Sequence, residues 1–157
     1  MGRPLILLVL LACFGAEPLL TQEAALLTVT PSVGFGAVFD GGHPESGGMS
    51  TLIQIEMNRD RLRWGLFASV RGIGVGCSDG CDLSGKALGA EIAFLMGRVS
   101  VGPGLGLIHR FTGWHAQPHG QLSFPLGTLR VQLRVEVASG SNGLHVPLLL
   151  GRQIRIG

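Results

Sequence analysis

Tyrosine is absent from this 157-residue chain, and lysine occurs once, at Lys86. Charged residues make up 14%, against about 25% in an ordinary soluble domain. A soluble β-protein covers its exterior with Lys, Glu, Asp and Thr, and there are too few charges here to do that comfortably. The formal net charge is only +2, so the basic footprint of a nucleic-acid-binding protein is missing. No apolar run reaches the roughly 20 residues that a membrane-spanning helix needs. Mean hydropathy is nevertheless positive, at +0.42, and glycine is abundant at 26 residues. The chain is long enough for one domain.

What is present is alternation. Leu27, Val29, Pro31, Val33, Phe35, Ala37 and Phe39 are apolar, and Thr28, Thr30, Ser32, Gly34, Gly36 and Val38 between them are nearly all small or polar. A side-chain period of two is that of a strand. The segment is long enough to cross a bilayer when tilted, which takes roughly 9–11 residues. The pattern recurs to the C-terminus and predicts strands over 26–39, 49–57, 62–75, 86–96, 99–111, 119–124, 129–137 and from 144 toward 156. Asn58-Arg59-Asp60, Gly97-Arg98 and Pro125–Thr128 read as tight turns. The segments 40–48, 76–85 and 112–118 read as longer loops, and 139–143 as a loop of middle length. Short turns on one side and longer loops on the other are the mark of a membrane barrel. The expected fold is therefore all-β: an eight-stranded antiparallel up-and-down transmembrane β-barrel after an N-terminal signal peptide.

The N-terminus supports export. Arg3 supplies a positive start and residues 4–12 a short apolar core. Residues 1–24 are expected to be the signal peptide and a short N-terminal segment, and 25–157 the barrel. Leu10-Leu11-Ala12-Cys13 is similar to a bacterial lipobox, which would make Cys13 a lipidation site. The plainer alternative is an export core that happens to hold a cysteine.

Alternation alone does not say which face points outward. In a soluble lipocalin-like barrel that binds a hydrophobic ligand, the aliphatic face turns inward. In a membrane barrel it turns outward. Two features favour the membrane. The polar face is rich in glycine, at Gly34, Gly36, Gly65, Gly89, Gly102, Gly104 and Gly106, which makes room in a narrow lumen but weakens an exposed strand. Its charges have mixed sign, with Glu56, Glu91 and Glu136 against Arg63, Arg71, Arg110, Arg130 and Arg134, a set able to pair inside a lumen. The role expected of this network is structural.

These features together resemble the small eight-stranded outer-membrane barrels of the OmpA and OmpX transmembrane type, over about 26–156. The resemblance implies a bacterial outer-membrane location with outer-membrane lipids around the wall. It also implies a structural, envelope-stabilising role or a surface-interaction role carried by the loops, without an open pore and without a cofactor. Members of that group usually end in an aromatic residue, whereas this chain ends Arg155-Ile156-Gly157. Without tyrosine, its interfacial girdle has to rely on Phe39, Trp64, Phe94, Phe111 and Trp114.

Other candidate sites are weaker. Cys77 and Cys81 flank Ser78-Asp79-Gly80 in an expected external loop, where an oxidising compartment favours a disulfide; free thiols and a metal site are the alternatives. His43, His115 and His119 are expected in or beside loops, as polar loop residues or, together, as metal ligands. Ser141-Asn142 is similar to half of the His-x-Ser-Asn motif of lipid A deacylases, but Ser139 stands where the histidine belongs and His145 follows the serine by four residues. No base is therefore local to that serine, and Asn142-Gly143 reads better as a turn. Gly102-x-Gly104-x-Gly106 lies within a strand and opens no helix, so it is not a phosphate-binding loop.

Overall fold

The computed structural model describes residues 27–40, 43–72, 85–110, 113–137 and 144–156. They form one antiparallel sheet: β1 (Leu27–Asp40), β2 (His43–Arg59), β3 (Leu62–Arg71), β4 (Gly85–Met96), β5 (Val99–Arg110), β6 (Gly113–Leu126), β7 (Leu129–Val137), β8 (Leu144–Arg152) and the short β9 (Ile154–Ile156). Each strand pairs with the next, and β1 pairs with both β2 and β8, which closes the sheet into a barrel. Closure leaves no free sheet edge.

β8 and β9 are one strand interrupted. Ser32 pairs with Gly151, and Leu27 with Ile156, in an unbroken register. The gap falls opposite Thr30-Pro31. Proline has no N–H to offer the ladder, and the amide of Gln153 donates instead to the carbonyl of Thr128 at 2.9 Å. Proline leaves a similar mark elsewhere. Pairing of β4 with β5 lapses beside Pro103, and that of β7 with β8 lapses beside Pro147, with no change of register in either case.

At one end of the barrel, β2–β3, β4–β5 and β6–β7 are joined by two-residue turns. The first residue of each turn has positive φ: Asp60 at 59°, Gly97 at 61° and Gly127 at 63°. That geometry matches the right-handed twist of the strands it joins. The other connections lie at the opposite end.

Two of those connections are shorter than the sequence suggests. β2 begins at His43 and β6 at Gly113, so most of 40–48 and 112–118 is strand. Phe39 pairs with Pro44 across a bulge that follows Val38. In β6 the pattern is masked by residue type. Trp114, Ala116 and Pro118 face outward while His115, Gln117 and His119 face inward, and few of these are the aliphatics by which a strand is recognised. β3 stops at Arg71, and 73–84 lie outside the described residues.

The polarity is that of a protein turned inside out. Outward positions carry Phe35 at 61% exposure, Leu66 at 64%, and Ile53, Leu88, Leu105 and Leu148, all more than half exposed. Inward positions carry Gln54, Glu56, Gln132 and Arg134, each at 1% or less. The outward apolar column runs from Leu88 to Met96 on β4 and from Trp114 to Leu126 on β6. At about 3.3 Å per residue and a tilt near 40°, those columns rise roughly 20 and 30 Å along the axis. They bracket the band of about 25 Å found on outer-membrane barrels. A soluble ligand-binding barrel needs an apolar lumen, and this lumen is charged.

Candidate functional site: the lumen

Inward side chains fill the barrel in layers. Nearest the two-residue turns, Glu56 on β2 lies between two guanidinium groups, Arg63 Nε at 3.0 Å and Arg130 Nη1 at 2.5 Å. Thr30 donates its hydroxyl to the same carboxylate at 3.4 Å. Arg63 also donates to Ser100 Oγ at 2.5 Å and Ser123 Oγ at 3.0 Å, and the two serines share a hydrogen bond at 2.7 Å. One carboxylate thus joins β1, β3 and β7, and one guanidinium reaches on to β5 and β6.

The middle layer centres on Glu91 of β4. It accepts a hydrogen bond from Gln54 and lies 3.6 Å from Arg134 Nη1. Arg134 Nη2 donates to His119 Nε2 at 2.8 Å. The same Nε2 lies 3.4 Å from Glu91 Oε2, so the imidazole sits between a guanidinium and a carboxylate. Gln132 donates to Gln121 at 2.7 Å. Phe67 meets His119 edge-on, with ring centroids 5.1 Å apart, and the Arg134 guanidinium sits 4.4 Å above its ring. That is cation–π distance, between two buried side chains. Around Phe67, the residues Leu52, Ala87, Ile108 and Leu149 make the barrel's small apolar core.

Toward the end away from the two-residue turns, Glu136 of β7 is held by Arg71 from β3, by Arg134 Nε at 3.3 Å and by His145 Nδ1, which donates at 2.7 Å. Arg71 also donates to Gln117 at 2.9 Å. Three strands lie between β3 and β7 in either direction around the barrel, so the Arg71–Glu136 pair ties diametrically opposite walls.

The glycines supply the space. A Cβ on Gly104 would run into the His119 ring, and one on Gly36 would lie 2.6 Å from His145 Nε2. Added at Gly89 or Gly106, it would lie 2.8 or 2.9 Å from the Phe67 ring. The lumen of an eight-stranded barrel is only wide enough for side chains, and here His119, His145 and Phe67 each lie against a glycine.

Seven of the eight residues selected as lumen charges are brought together: Glu56, Arg63, Arg71, Glu91, Arg130, Arg134 and Glu136. Arg110 ends β5, and its side chain lies outside the described residues. Cys13, Cys77 and Cys81 also lie outside them.

The placement of His119 differs from expectation. Expected at the start of a strand beside a loop, it is instead a buried lumen residue well inside β6, which begins six residues earlier than the alternation suggests. His115 is also on β6, four residues away, or about 13 Å along a strand, so the two cannot share a metal ion. Among the described residues, no three His, Cys, Asp or Glu side chains are grouped to hold one. His145 is engaged by Glu136, while Ser139 to Gly143 lie outside the described residues. His119, His145 and the lumen glutamines have one readable signal, their parity with neighbouring inward residues.

A closed eight-stranded antiparallel barrel with an apolar exterior and a filled polar lumen defines a class, the small outer-membrane barrel fold. No protein-family model matches the chain, and no curated protein matches it in sequence. Solved structures do match it in shape. Neisserial surface protein A (NspA) superposes with a TM-score of 0.60 at 14% identity, over 85% of this chain and 100% of that one. The outer membrane protein Ail of Yersinia pestis, in a phospholipid bilayer nanodisc, superposes with a TM-score of 0.51 at 18% identity, over 83% of this chain and 100% of that one. At these identities the likeness is one of fold.

Proposed function

We propose that this chain is a bacterial outer-membrane protein whose barrel anchors it and stabilises the envelope, and whose connections at the end away from the two-residue turns meet external partners. The observation that carries this reading is the inverted polarity: aliphatic side chains exposed around the whole wall, ion pairs sealed within. Such a wall is soluble only in lipid. The likeness in fold to NspA and Ail supports the same location. With the N-terminal strand entering from the periplasm, the two-residue turns are periplasmic. A lumen filled by side chains supports a role without an open pore. Residues 1–24 act as export signal and short leader, and Cys77 and Cys81 form a loop disulfide, which intact mass before and after reduction would reveal.

The test is to refold the full chain with and without detergent micelles and follow β-structure by circular dichroism. Folding only in micelles is expected. A soluble, cooperative β-fold without detergent would overturn the reading, since the exposed aliphatic wall could not then be the true exterior.

A further inference from the structure

Two of the outward apolar columns end in arginine. On β2 the outward series Ile53, Ile55, Met57 ends in Arg59, and on β8 the series Leu148, Leu150 ends in Arg152. Both arginines are exposed and lie at the rim that carries the two-residue turns, where Arg61 and Arg155 are exposed as well. Asp60 is the acidic residue exposed at this rim among the described residues. Just above it on the wall lie Trp64, Phe94 and Phe124, all exposed. At the opposite end the outward basic groups described are Lys86 and His109, beside Trp114.

An aromatic belt with guanidinium groups immediately beyond it is the arrangement of a bilayer interface. The stems of Arg59 and Arg152 can lie along apolar wall while their heads reach the headgroup layer. A guanidinium there presents a planar fork of donors that matches phosphate oxygens two at a time. We propose that the rim arginines Arg59, Arg61, Arg152 and Arg155 bind the phosphates of anionic phospholipids in the periplasmic leaflet, giving the barrel a collar of preferred lipid at that end. The proposal rests on the membrane reading above and adds a lipid class and a leaflet to it.

The test uses the full chain inserted in phosphatidylcholine vesicles that hold a trace of spin-labelled phosphatidylglycerol or spin-labelled phosphatidylcholine. The immobilised fraction gives the relative association of each lipid with the wall. A preference for phosphatidylglycerol on the order of fivefold is expected, since each arginine near an anionic surface contributes at about that level. Combining Arg59→Gln with Arg152→Gln should lower the preference at least by half, and Lys86→Gln at the other end should leave it unchanged. In the wild-type chain, added sodium chloride should erode the preference by screening, which tests the idea even where the double variant does not insert.

Equal association of the two lipids overturns the proposal, as does a preference that survives the double variant or falls with Lys86→Gln. Loss of the preference to inorganic phosphate, but not to chloride at matched ionic strength, overturns it in favour of a free-phosphate site. A chain that does not insert in vesicles overturns both this proposal and the membrane reading, whereas insertion without preference overturns this one alone.

Discussion

Replacing Glu56 with glutamine should be among the most damaging single changes in the lumen. Its side chain is 1% exposed and lies between Arg63 and Arg130, themselves 6% and 2% exposed. Among the described residues no other carboxylate is paired with either arginine. A unit charge pair about 4 Å apart at an effective dielectric constant near 20 is worth roughly 4 kcal/mol. Two such pairs give about 8 kcal/mol gross. The substitution also removes the desolvation cost of the carboxylate, several kcal/mol. The net destabilisation expected is about 3–5 kcal/mol, the range for breaking a buried pair by removing one partner.

The assay is equilibrium urea unfolding of the chain in lipid vesicles, followed by the fluorescence of Trp64 and Trp114. With a slope of about 1–3 kcal/mol per molar urea, the midpoint should fall by one to a few molar. Removing a second charge should recover part of the loss, so Glu56→Gln with Arg130→Met should be more stable than the sum of the two single changes implies. A Glu56→Gln effect below about 1 kcal/mol, the level of a solvated pair, would refute the reasoning. The guanidinium groups would then have water to turn to, and the lumen would not be sealed.

Leu133 faces outward near the middle of β7, and Leu133→Arg should cost roughly 2–4 kcal/mol in the same lipid assay if it lies near the midplane; no loss would place that face elsewhere. Gly104→Val puts methyl groups where the His119 ring lies and should cost about 1–3 kcal/mol by overpacking, with His119→Ala in the same chain restoring part of it. Gly97 sits in its turn at φ 61°, so Gly97→Val should cost about 1–2 kcal/mol for the left-handed backbone, measured as a lower urea midpoint with the fold retained.

How legible the fold was in the sequence depended on residue type. β7 could be read to the residue, because Leu129, Val131, Leu133, Val135 and Val137 alternate with Arg130, Gln132, Arg134 and Glu136. β4 was readable to within one residue, and β3 from its start at Leu62, although the expected end at 75 overran Arg71. The first half of β6 was hidden because its outward positions hold Trp114, Ala116 and Pro118, and its inward ones His115 and Gln117. Polarity still alternates there, but weakly, and proline reads as a breaker. The split of β8 at Gln153 could not be read locally at all, because its cause is Pro31, more than a hundred residues away on the partner strand. The lumen charges were legible as a set but their pairing was not. Which arginine meets which glutamate depends on the stagger between strands across the barrel, and a one-dimensional pattern does not carry that.

The Arg71–Glu136 pair has a mechanical consequence. A thin-walled cylinder under uneven lateral pressure deforms first by becoming oval, and hydrogen bonds along its circumference resist this poorly because they need only bend. A spoke across the diameter resists it directly. β3 and β7 are joined by such a spoke, β2 and β7 by the Glu56–Arg130 contact at another height, and the two act at different levels along the axis. The cross-section is thereby held round as neighbouring lipids or proteins press on it, and the connections mounted on its end keep their spacing whatever the crowding in the plane around them.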